Sequence, residues 1–171
     1  MKGTKIIESS RIQGLLEIKL GAHYDFRGVN FEGYNEELYA SLHPFFKSVK
    51  FYHDSFSRSK KNVLRGFHGD AKNHKLIQPL FGRIQFVVLD LRPDSPTKNH
   101  AVDYILESNI PTQIMVPAGC VNAHLCLSDE CVFAYKLSVG YTPQENQMSV
   151  KWDRYFFKWA TRYPILSERD S

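Results

Sequence analysis

The stretch Lys75-Leu76-Ile77-Gln78-Pro79-Leu80-Phe81-Gly82-Arg83-Ile84-Gln85-Phe86-Val87-Val88-Leu89-Asp90-Leu91 decides the fold. It holds two short apolar runs, Lys75 to Leu80 and Ile84 to Leu91, rich in β-branched and aromatic residues and parted by Gly82. Runs of that length and composition read as strands, because branched and aromatic side chains suit a pleated surface. Outward from it the pattern recurs at Leu15 to Leu20, Val49 to His53, Ala101 to Leu106, Gln113 to Val116, Ala123 to Leu127, Val132 to Leu137 and Met148 to Trp152. Turn chemistry at Gly28, Gly33, Gly66, Pro93, Pro96, Pro111, Pro117-Ala118-Gly119, Gly140 and Pro143 punctuates them.

Short strands at a spacing of about 8–12 residues predict an all-β chain closed on itself, a cupin-type jelly-roll barrel with a few short helices. Such a barrel opens a cavity at its mouth, where a ligand binds. Two segments read as helical: Asn35 to Phe46, with Asn35 as cap before Glu36 and Glu37, and Tyr155 to Tyr163 as a terminal helical or 3₁₀ stretch. With 171 residues, no linker and no repeat, residues 1–171 are expected to form one domain. A hydrophobic fraction of 43% excludes the disordered classes, and a net charge of +4 suits a small anionic ligand while giving no case for nucleic acid. No apolar stretch approaches the length of a membrane span, and the first eight residues carry no signal-peptide core. Cys120, Cys126 and Cys131 read as small core residues in a reducing compartment, and the chain is expected to be cytoplasmic.

Four segments carry candidate chemistry. In Leu64-Arg65-Gly66-Phe67-His68-Gly69-Asp70, Gly66 permits a backbone kink, and Arg65 and His68 can project the same way from the strand end, a base beside an anion or carbonyl binder. The competing reading is a surface hairpin with satisfied charges. In Pro117 to His124, a Pro-x-Gly turn enters a strand whose third residue after the glycine is Asn122, where a metal-binding cupin has histidine. Neither Asn122 nor the spacing of His68, Asp70, His74 and His124 suits a transition metal, so no metal is expected. Tyr135 shares a strand face with Phe133 and Leu137 and reads as a core tyrosine or a general acid. The tail, Tyr163 to Ser171, is a frayed acidic end or, given Pro164-Ile165-Leu166, an end tied down on the body.

In that order these segments resemble the dTDP-4-dehydrorhamnose 3,5-epimerase family of the cupin superfamily. The resemblance runs from Asp25-Phe26-Arg27-Gly28 through Asn62-Val63-Leu64-Arg65-Gly66-Phe67-His68, Lys75-Leu76, Leu89-Asp90-Leu91-Arg92, Ser95-Pro96-Thr97, Val116 to Gly119, Leu127-Ser128-Asp129 and Tyr135-Lys136 to Pro164-Ile165-Leu166-Ser167-Glu168-Arg169-Asp170. It implies a cofactor-independent epimerase acting on C3, C5 or both of a nucleotide-linked 4-keto sugar, in bacterial surface polysaccharide synthesis. The ketone acidifies the neighbouring protons; a base removes one, an enolate forms, and an acid on the opposite face returns a proton. By resemblance His68 is the base, Asp170 orients its ring, Tyr135 is the acid and Lys75 stabilises the enolate oxygen, an effect of roughly 3 kcal/mol. Arg65 holds the diphosphate or the sugar near C4 and Arg27 the diphosphate, with Arg27 contributed across a homodimer interface, and Glu32, His53, Ser55, Asn122 and Tyr141 line the substrate site.

This chain departs from the family at Asn122-Ala123-His124, where His-Gly-Phe is usual, at His53-Asp54-Ser55, and in a shorter loop between His68 and Lys75. The departures lean toward the relatives that act on GDP-linked 4-keto-heptoses. Two alternatives stand beside this reading: a ketoisomerase or dehydratase on the same scaffold, and a non-catalytic sugar-binding cupin.

Overall fold

The computed structural model describes residues 3–155 and 157–171. Its elements, in chain order, are β1 (Lys5–Glu8), β2 (Leu16–Lys19), β3 (Ala22–Asp25), β4 (Gly28–Phe31), α1 (Glu36–Leu42), α2 (Phe45–Ser48), β5 (His53–Lys60), β6 (Leu64–Gly69), β7 (Lys75–Phe81), β8 (Arg83–Asp90), β9 (Ala101–Glu107), β10 (Thr112–Val116), β11 (Cys120–Cys126), β12 (Glu130–Leu137) and β13 (Met148–Ser149). A six-stranded sheet in the order β1-β2-β10-β7-β12-β5 faces a five-stranded sheet in the order β13-β6-β11-β8-β9, and β3–β4 forms a separate hairpin. The paired strands are antiparallel, giving the predicted cupin-type jelly roll.

Apolar side chains fill three layers. Between the sheets lie Ile77, Ile84, Phe86, Val88, Ile114, Val116 and Phe133. Behind the six-stranded sheet, Tyr39, Phe46 and Phe51 cover Leu16, Ile18, Leu76 and Met115. Behind the five-stranded sheet, a C-terminal strap carrying Trp152, Phe157, Trp159 and Leu166 covers Phe67, Val87, Leu89, Val121 and Leu125. Strands such as β8 are therefore buried on both faces, which explains why Phe86 to Leu89 reads as a continuous apolar run. Cys120, Cys126 and Cys131 are all buried and unbridged, with the small-residue core role expected of them.

Three local expectations are corrected. The Asn35 to Phe46 helix is two: Asn35 caps α1 through a bond from the Leu38 N–H, and the chain then turns extended at His43 because it precedes Pro44. Val49 to His53 is not a strand. Val49 ends α2 and Phe51 packs under the helices, and β5 begins only at His53. Tyr155 to Tyr163 contains residue 156, which lies outside the described residues, and its described part is not helical. Phe157 and Trp159 alternate onto Phe67, and the Gln85 amide donates to Lys158 O and accepts from the Ala160 N–H, holding the strap extended.

Candidate active site

One mouth of the barrel opens into a cavity of about 330 Å³. Its wall on the five-stranded side is built by a bulge. In the β6–β11 ladder His68 faces Asn122 and Arg65 faces His124, so three steps on one strand match two on the other. The extra residue turns Arg65 and His68 to the same side, whereas residues three apart on a regular strand point oppositely. Gly66 makes this possible: its φ is +111°, and a Cβ there would stand 2.5 Å from Asn122 O. Leu64 and Phe67 meanwhile point outward beneath the C-terminal strap.

The tail is tied down, as its apolar residues suggest. Ile165 bridges Val63, donating to Asn62 O and accepting from the Leu64 N–H. That anchor delivers Asp170 into the cavity wall, where its Oδ1 lies 2.7 Å from His68 Nε2, the carboxylate nearly wholly buried and the imidazole partly open. Burial pushes the Asp170 carboxyl up, but the His68 ring, Ser167 and the Gly66 backbone outweigh it and hold the carboxyl below its ordinary range.

Lys75, on β7 of the opposite sheet, reaches across the cavity. Its Nζ donates to His68 O at 2.9 Å and to Asn122 Oδ1 at 3.0 Å. Burial brings its pKa down to about 8, against the opposing pull of Asp70, with the Arg169 charge adding to the depression. Tyr135 lines the cavity from β12, the strand between β7 and β5. His68 and Tyr135 thus belong to different sheets and address one cavity from opposed walls.

Arg65, Asn122 and Tyr141 also line it. Arg65 is oriented by Ser59, whose Oγ accepts from its Nε. Tyr141 rides on a loop latched by Asp70, which accepts from the Lys72 and Asn73 N–H groups, the Asn73 amide and the Thr142 hydroxyl. His74 accepts from the Ala118 N–H and packs against Phe45. Asp70 and His74 are accordingly taken up by loop structure.

Four expected site residues are not brought to this wall. His53 and Ser55 share the inward row of β5 with Ser57, which is on the wall, and bond to each other at 3.1 Å. Glu32 accepts from Asn35 beside α1. Arg27 sits at the tip of the β3–β4 hairpin, pairing with Asp25, beside a Phe26 that is 98% exposed. The cavity residues not singled out for substrate contact from the sequence include Ser57, Arg169, which bonds Gln147, and His124. The signals were available, since Arg169 adjoins Asp170 and His124 lies two residues from Asn122 on one strand face.

The family model for dTDP-4-dehydrorhamnose 3,5-epimerase matches residues 9–171. The enzyme of that name from Salmonella typhimurium is 31% identical over 172 residues, covering 97% of this chain and 92% of its own. Among solved structures, the dTDP-4-dehydrorhamnose 3,5-epimerase of Bacillus anthracis, with TDP and pyrophosphate bound, has a TM-score of 0.89 at 28% identity and covers 98% of this chain and 97% of that one. The Legionella pneumophila dTDP-6-deoxy-D-glucose-3,5-epimerase, in complex with dTDP-4-keto-L-rhamnose, has a TM-score of 0.87 at 29% identity, covering 98% and 89%.

Proposed function

The chain belongs to the dTDP-4-dehydrorhamnose 3,5-epimerase family, and on that premise we propose that it inverts C3, C5 or both of a nucleotide-linked 4-keto sugar by removing and returning protons. The observation that carries this reading is the opposition of His68 and Tyr135 across one cavity. Inversion needs a base on one face of the sugar ring and an acid on the other, whereas moving a carbonyl or merely binding a sugar does not. His68, with Nε2 committed to Asp170, takes the C–H proton through its other nitrogen, and Asp170 stabilises the imidazolium so formed. As the proton leaves, the electron pair moves onto the C4 oxygen, where the Lys75 ammonium meets the developing charge. Tyr135 then delivers a proton from the far side. The substrate's own ketone supplies the acidity, so the sequence of steps runs on side chains alone.

The test is incubation of the purified protein with GDP- and dTDP-linked 4-keto sugars in heavy water, followed by proton NMR at C3 and C5. Deuterium incorporation with inversion is expected. No incorporation from any of these substrates would sink the proposal. The relatives named above give the guanosine expectation no support and favour thymidine by name. Only the sequence departures, at Asn122 to His124, at His53 to Ser55 and in the loop between His68 and Lys75, speak for a GDP-linked heptose. The two nucleotides are therefore separate arms of the same experiment.

Lys75 makes the rate pH-dependent. Its ammonium is present below about pH 8 and lost above it, so kcat/KM is expected to fall about tenfold per unit on the alkaline side. Lys75→Arg, which stays charged throughout, lowers the rate but removes that limb. An alkaline limb unchanged in Lys75→Arg would take the role from Lys75.

The diphosphate needs cations, and Arg65 and Arg169 stand at the cavity. We assign the third, Arg27, to the neighbouring cavity of a homodimer, because its hairpin stands apart from both sheets with Phe26 and Tyr24 exposed. Mixing the Arg27→Ala and His68→Asn proteins is the check. If Arg27 crosses the interface, re-formed heterodimers own one site with both residues intact, and activity recovers toward a quarter of wild type in an equal mixture. Recovery no greater than the sum of the two variants means that each subunit uses its own Arg27.

A further inference from the structure

The floor of the cavity holds two polar atoms that the reaction does not use. His124, on the inward face of β11, is 3% exposed, and its Nε2 is buried with no hydrogen-bond partner. Ser57, on the inward row of β5, has a buried Oγ in the same condition. Phe133 brings the two together. The His124 ring stacks on the Phe133 ring with centroids 4.1 Å apart and 13° between planes, and Ser57 is the residue paired with Phe133 across the β5–β12 ladder. All three line the cavity, and Arg65, paired with His124 across the β6–β11 ladder, lines it too.

The charge state of this corner is one-sided. Burial first, and then the Arg65 cation, bring the His124 pKa down to about 3, with Asp170 pulling the other way and His68 adding to the depression. A neutral imidazole offers one donor and one acceptor, and a serine hydroxyl rotates to offer either. Unsatisfied buried polar atoms cost stability, and a native protein leaves few of them without a reason. Two that neighbour the same Phe133 ring on the cavity wall match a ligand group that both donates and accepts. A hydroxyl fits; a methyl does not.

Resting on the epimerase reading above, we propose that Ser57 and His124 form a hydroxyl-binding subsite, so that the enzyme selects 4-keto sugars that place a hydroxyl on the Phe133 floor over sugars that place a hydrogen or methyl there. His124 then determines specificity and takes no part in proton transfer.

The test compares substrates within one nucleotide series, a 4-keto-6-deoxy-hexose against the heptose bearing an added hydroxymethyl, and the same hexose against its 2-deoxy counterpart, which lacks one hydroxyl and nothing else. Wild type is expected to favour the hydroxyl-bearing member of at least one pair by tenfold or more in kcat/KM, since a site built to bond a hydroxyl rejects the analogue lacking it. His124→Phe and Ser57→Ala are each expected to cut that preference at least fivefold. Ser57→Ala removes a single atom and keeps the test alive should the histidine variant fold poorly. Equal ratios in wild type and both variants for every pair overturn the proposal. If wild type turns over none of the sugars, the epimerase reading falls, and the subsite is read by another route. Imidazole ¹⁵N spectra are then recorded with GDP-mannose, with dTDP-glucose, and with GDP and dTDP alone. A shift at His124 Nε2 with a nucleotide sugar but not with its nucleotide supports the subsite. No shift with either sugar overturns it.

Discussion

Replacing His68 by asparagine is expected to lower deuterium incorporation, at whichever of C3 and C5 the wild type exchanges, by a factor of at least about 10³, the scale of a lost general base. Asparagine is smaller than histidine and has no atom at the place of Nε2, so it gives up the bond to Asp170 together with the base, and circular dichroism is the check that the fold is retained. Asp170→Asn is expected to cost a comparable factor, because the buried carboxylate 2.7 Å from Nε2 both orients the ring and offsets the imidazolium charge. Tyr135→Phe should behave differently in kind. With the acid gone but the base intact, His68 can still remove a proton and return one to the same face. Deuterium therefore enters with little inversion, and exchange outruns product formation. If Tyr135→Phe and His68→Asn instead lose exchange and inversion in equal measure, the two side chains do not have the separate roles proposed here. If His68→Asn retains wild-type exchange, the base lies elsewhere.

These roles were unevenly legible in the residues. Tyr135 follows from period two: it shares a strand face with Phe133 and Leu137, and that face looks into the barrel. The pairing of Arg65 with His68 does not, because three residues along a regular strand separate opposite faces; only Gly66 hinted at the bulge that unites them. Strand β5 escaped detection for a physical reason. Its inward row is His53, Ser55, Ser57 and Ser59, polar where a core strand would show apolar residues, so alternation of hydrophobicity is missing where alternation of burial is present. The aromatic stretch after Tyr155 misled in the other direction. Nothing in its composition reports that Gln85 waits on the outer face of β8 to take up its backbone groups and keep it extended. Asp170 entered the site only through the resemblance, since a polar tail has no periodicity to read; the bridge between Ile165 and Val63 is what makes its position definite.

The largest effect on stability is expected away from the chemistry, at Asp90. Its carboxylate is fully buried at the end of β8 and accepts from Arg92 Nε at 2.9 Å, Arg92 Nη2 at 2.6 Å, Ser95 Oγ at 2.6 Å, Thr97 Oγ1 at 2.7 Å and the Arg92 N–H at 3.0 Å. An amide in its place has one acceptor oxygen and presents an NH₂ to groups that are themselves donors. Asp90→Asn therefore strands part of this set and leaves the partly buried Arg92 cation without its partner, for a loss of about 3–5 kcal/mol. At this chain length that is roughly a 10 °C fall in melting temperature. The exposed pair Arg58–Glu130 is the contrast: Glu130→Gln should cost no more than about 0.5 kcal/mol. The pH dependence follows from the direction of the Asp90 shift. Burial pushes its carboxyl up, but the bonds from Arg92, Ser95 and Thr97 outweigh burial and hold it far below the ordinary range. A carboxyl depressed in the folded state contributes stability that is fully present above the unfolded pKa, about 4, and is lost as pH falls toward the folded value. The gap between wild type and Asp90→Asn should therefore be constant from pH 8 to about 5 and narrow below about 4. The consequence reaches the site, because Arg92 packs against Gly119, where a Cβ would stand 2.5 Å from its Cγ, at the entry to the strand that carries Asn122 and His124. Thermal melts of the two variants across that pH range decide the matter: a loss at Asp90 no larger than at Glu130 would mean that the buried network contributes nothing beyond a surface pair.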